Sequence, residues 1–170
     1  MKGFIVLAVV LLALPLVHSQ EVVEYDALLT IKGVYLFLNN PGQVQEKVTM
    51  VFSNTQNTPL KEVRYPFSAE LENLRISDAL GELNFSTSVR SGKTYVTVIF
   101  RKPLEHAKNQ TIVYEYIHAK SIQRRDGNSF ILTYTQAILA NVKNFKLVVF
   151  LPESYVLSQE GMIPSSKDIL

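Results

Sequence analysis

Hydrophobic and polar residues alternate with a period of two along most of the chain after residue 20. In the segment EKVTMVFSN, Val48, Met50 and Phe52 share one side of an extended backbone, and the residues between them share the other. Successive side chains of a β-strand point to opposite faces, so this pattern predicts a strand with one buried face. Comparable segments, TYVTVIFR, TIVYEYIHA, FILTYT and FKLVVFLP, recur about every 10 residues with turn residues between them.

The turn residues indicate how these strands connect. The sequence DALG lies between LRISD and ELNFSTSVR, which predicts a hairpin over residues 73–90. SGK and RRDGNS mark further turns, and no amphipathic helix is evident. The spacing is typical of an antiparallel sandwich or barrel. Since no repeat period is present, we expect an all-β fold, an antiparallel β-sandwich of about eight or nine strands.

One segment departs from simple alternation. Leu147–Leu151 is apolar at every position and is ended by Pro152. Such a run is typical of a strand covered on both faces, so we expect it at the centre of a sheet and not at an edge.

The first 20 residues have the layout of a secretory signal. Lys2 is followed by an apolar run to Val17 and a polar exit, with the small Ser19 at the expected cleavage point. An uncleaved anchor is the alternative, but the run is interrupted by Pro15 and is shorter than a membrane span. We therefore expect a signal helix over residues 1–19, a β-sandwich over 20–160, and the start of a linker or truncated continuation over 161–170.

Composition limits the classes of function. Without Lys2, the 17 basic residues fall to 16 against 15 acidic ones, which is too balanced for capture of nucleic acid. Cysteine is absent, which excludes disulfides, thiolate catalysis and cysteine–zinc sites. Burial alone must then hold the exported domain together.

The richest group of titratable residues is KPLEHAKNQTIVYEYIHA, residues 102–119. In its predicted strand, Glu115 and His118 point to opposite faces, and Glu105 and His106 are neighbours in a loop. A catalytic or zinc site needs such groups to converge on one point. We interpret the segment as a solvated turn followed by a strand with His118 at its rim.

Other catalytic motifs are missing from the sequence. HExxH, GxSxG and a glycine-rich phosphate loop do not occur. We expect no catalytic residue, no metal site and no bound cofactor. An enzyme such as a hydrolase would gain support if Glu105, His106 and a further acid or His118 surrounded a pocket.

Two surface features are candidates for modification or contact. Asn109 and Asn84 begin N-glycosylation sequons, and Asn109 lies in the more favourable loop context. Lys120, Arg124 and Arg125 form a basic cluster near a predicted hairpin tip. This cluster could contact anionic lipid, glycan or an acidic partner, or could simply keep the loop soluble.

The succession YVTVIFRKPLEHAKNQTIVYEYIHA and FKLVVFLPESYVLSQEG resembles a known domain type. With its KPL turn, its strand bearing Tyr114 and Tyr116, and its LPESY ending, it is similar to the N-terminal extracytoplasmic β-domain of archaeal membrane-anchored surface or sensor proteins, some of which carry a winged helix. A fainter similarity is to luminal domains of ribophorin-type oligosaccharyltransferase subunits. The resemblance implies membrane attachment through a segment beyond residue 170, and it transfers no catalytic residue.

These observations predict a non-enzymatic extracytoplasmic module, secreted or at the cell surface, for ligand sensing or protein interaction. We expect it to bind a protein or glycan partner. An accessory subunit of a membrane complex, acting through protein contacts, is the alternative.

Overall fold

The computed structural model describes residues 3–14, 20–32, 42–68, 70–118, 122–126, 129–139, 142–153 and 155–159. These residues form strands and no helix, which confirms the all-β prediction. No helix among them is therefore long and apolar enough to span a bilayer. The strands are β1 (Gly3–Leu14), β2 (Gln20–Lys32), β3 (Gln43–Asn54), β4 (Leu60–Phe67), β5 (Leu71–Asp78), β6 (Gly81–Glu82), β7 (Phe85–Arg90), β8 (Lys93–Leu104), β9 (Asn109–His118), β10 (Ile122–Asp126), β11 (Ser129–Leu139), β12 (Asn144–Phe150) and β13 (Tyr155–Gln159).

The strands form three sheets. A six-stranded sheet has the order β12-β2-β3-β9-β5-β6 and is antiparallel except where β12 runs parallel to β2. A three-stranded antiparallel sheet has the order β4-β8-β7. The third sheet has the order β10-β11-β1-β13, and its β1 is parallel to both neighbours.

Period-two alternation builds the core as the sequence predicts. In β3, every second residue from Val44 to Asn54 is buried. One face of the six-stranded sheet packs against β4 and β8 in a first hydrophobic cluster, and against β10 and β11 in a second. The architecture is a sandwich whose second layer is divided into two sheets.

Aromatic side chains fill the first cluster. Phe67 of β4 meets Tyr114 and Tyr116 of β9 with ring centroids 5.4 Å apart, and Tyr65 lies 5.3 Å from Phe67. All four are essentially inaccessible to solvent. Fully burying one large apolar side chain stabilises a fold by about 1.5–3 kcal/mol, so burial of this kind can hold the layers together without disulfides.

The N-terminal segment differs from the expected signal helix. Gly3–Leu14 is the strand β1, which lies between β11 and β13. An apolar run with β-branched residues such as Ile5, Val6 and Val9 has strong strand propensity, and the open side of β11 supplies backbone partners for it. Its removal on export remains a prediction.

The predicted hairpin over residues 73–90 is correct only at its turn. β5 and β6 pair just through Ser77–Glu82 and Asp78–Gly81. The chain then crosses to the opposite layer, where β7 pairs with β8. The apolar Leu83 is buried at this crossing, which anchors the change of layer.

The prediction that Leu147–Leu151 is central is wrong. Strand β12 lies at the edge of the six-stranded sheet, and β2 is its one neighbour among the described strands. Leu147 packs against both hydrophobic clusters, whereas Phe150 is exposed. The run of apolar residues in β12 therefore reflects one face that is packed against the core and one that is partly covered. It does not indicate a strand with a neighbour on each side.

Candidate functional site

A buried polar cluster lies where the two halves of the second layer meet above the six-stranded sheet. Glu46 of β3 shares the inner face of its strand with Val44 and Val48, because the three lie two residues apart. His118 of β9 pairs in register with Val44, and Tyr134 reaches the cluster from β11 in the opposite layer. Three strands thus bring one carboxylate, one imidazole and one phenol together.

Hydrogen bonds satisfy the Glu46 carboxylate on both oxygens. The Tyr134 hydroxyl donates to Glu46 Oε1 at 2.7 Å, and the imidazole Nε2 of His118 contacts Oε2. The Tyr25 hydroxyl lies 3.4 Å from that of Tyr134 and extends the chain of polar groups to β2. A buried carboxylate needs such partners, since an unpaired charge in the interior is very costly.

Burial dominates the titration of the surrounding tyrosines. Loss of solvent raises the pKa of Tyr25 and Tyr134 well above the ordinary value near 10, and the Glu46 carboxylate adds to both shifts. Burial likewise raises the pKa of Tyr116, with a contribution from nearby Glu46. The Tyr116 hydroxyl nevertheless has no hydrogen bond of normal geometry among the described residues. These phenols therefore stay protonated in the folded chain.

The cluster is built to hold the layers together. Glu46 is fully buried and His118 is 5% exposed, so neither offers a surface to a substrate. Among the described residues, no group of three or more histidine or acidic side chains could hold a metal ion. The contacts of Glu46 with His118 and Tyr134 connect β3, β9 and β11.

A surface groove lies at the open side of the sandwich, away from the buried cluster. Its volume is about 330 Å³, and it runs between β5 of one layer and β7 of the other. We call it the β7 groove; its lining residues are Glu70, Leu71, Leu74, Phe85, Thr87, Val89 and Thr94.

The pairing of β7 with β8 shows that the β7 residues lining the groove belong to the inner face of their sheet. Phe85, Thr87 and Val89 pair with Val98, Val96 and Thr94 of β8, so they lie on the inner face of their sheet. Their β8 partners are buried, yet every residue of β7 is exposed. Phe85 is 39% exposed and Val89 is 73% exposed, although both lie on that inner face.

The loop between β8 and β9 places two residues that were considered for catalysis. Glu105 and His106 are exposed, and the His106 ring Nδ1 lies 3.0 Å from the Gln56 carbonyl oxygen. Buried Asn54 anchors the same loop: its backbone N–H donates to Lys108 O and its side-chain amide to Leu104 O. The loop is a docked turn, and His118 is not brought to it.

The structure corrects the interpretation of His118 as a rim residue. Its alternation with Tyr114 and Tyr116 was predicted, and all three are buried. The sequence reasoning missed Glu46 as its partner. The sequence does place Glu46 on the same face of its strand as Val48, Met50 and Phe52. Only the register of β3 with β9 shows that Glu46 lies near His118.

The two sequons lie on the surface. Asn109 is the first residue of β9 and is exposed. Asn84 lies between β6 and β7, where its side chain is exposed and its carbonyl accepts a hydrogen bond from Ile99 N. Both positions are accessible to a glycan, and the use of either remains a prediction.

The predicted basic cluster is described only in part. Lys120 lies outside the described residues, and Arg124 is described by its backbone, which pairs with Phe130. Arg125 is exposed on β10. The prediction that these three side chains form one cluster therefore lies largely outside the described residues.

Comparisons with known proteins give only distant structural likeness. No family model matches this sequence, and no match was found among curated proteins. An M1 zinc metallopeptidase from Deinococcus radiodurans has a similar region with a TM-score of 0.45 and 14% identity, covering 61% of this chain and 21% of that one. A yeast LTA4 hydrolase in complex with bestatin gives 0.47 and 12%, with 66% and 18% covered. The chain spans about a fifth of their length, and likeness at this level carries no information on activity.

Proposed function

We propose that this chain is a non-enzymatic extracytoplasmic β-sandwich module that binds a protein partner through the β7 groove. The observation that carries the proposal is the exposure of Phe85 and Val89 on an inner sheet face. Side chains on that face elsewhere, such as Val96 and Val98, are fully covered. Covering exposed apolar area yields about 25 cal/mol per Å², so a partner strand or loop seated here gains free energy that the isolated chain does not.

The polar groups of the interior support a binding role over a catalytic one. Glu46 is in contact with both His118 and Tyr134 between the two layers. Among the described residues that line the β7 groove, Glu70 is the one carboxylate and none is a histidine. A groove that combines apolar side chains such as Leu71 and Phe85 with polar ones such as Glu70 and Thr87 is suited to recognition of another chain.

The extracytoplasmic address rests on the leader-like residues 1–19. Cleavage near Ser19 would remove β1 from between β11 and β13. The mature chain would then begin with β2, whose pairing with β3 runs from Gln20 to Lys32. The mass of the protein isolated from the native cell surface distinguishes a chain starting at Gln20 from one that keeps the leader.

The binding role can be tested by cross-linking on intact cells followed by capture of the tagged protein. Val89→Lys places a charge in the β7 groove and should reduce recovery of the cross-linked partner at least about tenfold. Leu80→Lys is the matched control, because Leu80 is also exposed (81%) but lies in the β5–β6 turn outside the groove. Equal recovery with all three proteins would refute the proposal.

An accessory subunit of a membrane complex would use the same surface. Stable co-purification of a membrane complex with the wild-type protein, lost with Val89→Lys, would favour that role over a free surface sensor.

A further inference from the structure

Among the described strands, β7 lies at the edge of its sheet, so one side of its backbone pairs with no described strand. The carbonyl of Asn84 accepts a hydrogen bond from Ile99 N at 3.0 Å, so Asn84 faces β8. Successive residues of a strand direct their N–H and C=O groups to alternate sides. The backbone N–H and C=O groups of Ser86 and Ser88 therefore also point toward β8. Those of Phe85, Thr87 and Val89 point away from β8, toward the open edge of the sheet.

This edge lacks the features that usually prevent strand addition. The register of β7 with β8 is continuous from Phe85 to Arg90, without a bulge. The strand has no proline or lysine, and Arg90 is its one charged residue. The opposite edge of the same sheet differs, since β4 carries Pro66 and a register shift between Leu60 and Glu62. An unprotected edge is a template for another strand.

The sequence of β7 is complementary to itself in antiparallel orientation. When Thr87 of two copies face each other, Phe85 of one copy lies opposite Val89 of the other. Aromatic–β-branched pairs of this kind stabilise a sheet. In the same register Arg90 faces Asn84 of the second copy, so no like charges meet. In this register the outward-directed backbone groups of Phe85, Thr87 and Val89 all form hydrogen-bonded pairs within β7. A register shifted by two residues would pair one of these residues with a residue outside β7.

We propose that the β7 groove is occupied by a second copy of this chain, joined through antiparallel β7–β7 pairing centred on Thr87. The inference rests on the proposed function, because it names the partner of the same surface. The result is a twofold dimer in which two three-stranded sheets become one six-stranded sheet, and the two β7 grooves lie side by side on its inner face.

Sedimentation analysis of the purified full chain tests this directly. The chain should be made in a host without N-glycosylation, because a glycan on Asn84 would lie opposite Arg90 of the second copy and obstruct pairing. We expect a concentration-dependent monomer–dimer equilibrium. Thr87→Pro removes two intermolecular N–H donors per dimer and should weaken association by at least about 30-fold, at about tenfold per 1.4 kcal/mol. Thr87→Val keeps the N–H and should dimerise like the wild type.

The Thr87→Pro substitution spares the fold because the lost N–H does not serve β8. Cysteine variants supply a test that does not depend on it, since the chain has no cysteine of its own. In the proposed register Ser86 faces Ser88 of the second copy, with Cα atoms about 4.5 Å apart. A mixture of Ser86→Cys and Ser88→Cys should therefore oxidise to a mixed disulfide dimer. Either variant alone should not, because the two copies of the same residue lie diagonally across the two strands, with Cα atoms roughly 8 Å apart.

The outcomes separate this inference from the proposed function. A wild-type chain that stays monomeric at all concentrations, or cysteine mixtures that form no mixed disulfide, would overturn dimerisation through β7. If Val89→Lys still abolished capture of a different protein, the β7 groove would remain the binding site with another occupant. If it did not, both proposals would fail.

Discussion

Replacing Glu46 by alanine is the sharpest test of how the two layers are held together. The substitution leaves the His118 imidazole and the Tyr134 hydroxyl without the acceptor that both contact. Leaving a buried polar group without its acceptor destabilises a fold by about 1–3 kcal/mol for each group, so the loss of both contacts should cost about 2–6 kcal/mol. Glu46→Gln keeps an acceptor for Tyr134 but loses the charge, and we expect it to cost about 1–3 kcal/mol.

The neighbouring ion pair on the same two strands is a matched control. Lys47 and Glu115 lie 3.2 Å apart on the outer face, with side chains 52% and 48% exposed. Exposed pairs contribute about 0–1 kcal/mol, so Lys47→Ala should have little effect. The two substitutions change adjacent positions of β3 and differ in which face of the sheet they affect.

Equilibrium urea unfolding measures both. With a denaturant dependence of about 2 kcal/mol per molar, Glu46→Ala should lower the urea midpoint by about 2 M, and Lys47→Ala by less than about 0.5 M. Near-ultraviolet circular dichroism of the native state checks that tyrosine packing is retained. If Glu46→Ala and Lys47→Ala lowered the midpoint equally, the buried cluster would not be holding the layers.

Three further predictions concern the buried tyrosines and the surface. Tyr114→Phe removes a buried hydroxyl that has no partner among the described residues, so urea unfolding should show unchanged or slightly raised stability, whereas Tyr134→Phe should cost about 1–3 kcal/mol. Raising the pH should unfold the domain, because burial raises the pKa of Tyr25, Tyr114, Tyr116 and Tyr134, whereas the same phenols ionise near pH 10 in the unfolded chain. The stability that these tyrosines contribute below about pH 10 is then lost as pH rises toward their pKa values in the folded chain, by about 1.4 kcal/mol per pH unit for each tyrosine. Absorbance near 295 nm, which reports tyrosine ionisation, should change together with unfolding. Ionisation of all eight tyrosines before unfolding would contradict this. Asn109→Gln should lower the mass of protein secreted from a glycosylating host by one glycan, and an unchanged mass would show that the sequon is unused.

The alternation of apolar and polar residues along the strands predicted which side chains are in the core, because the face that a strand residue points to depends only on its position along the strand. The inner-face positions of β3 and β9, among them Val48, Met50 and Tyr114, are buried as expected. The same reasoning could not assign strand neighbours. Leu147–Leu151 looked central and lies on an edge strand, since hydrophobicity reports coverage of faces and not of backbone edges.

The candidate sites were harder to predict, since each depends on contacts between distant residues. Glu46 and His118 are 72 residues apart, and only the register of β3 with β9 brings them together. The β7 groove arises where the chain crosses between layers after Glu82, and nothing in the local pattern of Phe85 and Val89 indicates that these inner-face side chains stay exposed. Local turn chemistry predicted the reversal at Asp78 but not the crossing that follows it.

Residue-resolved amide hydrogen exchange of the full chain at increasing concentration tests the central claim, that the outer edge of β7 is the binding edge. The amides of Phe85, Thr87 and Val89 should exchange rapidly in dilute protein and become protected as the concentration rises, while those of Ser86 and Ser88 stay protected throughout. Rapid exchange of those three amides at every concentration, and in the presence of any captured partner, would contradict the account.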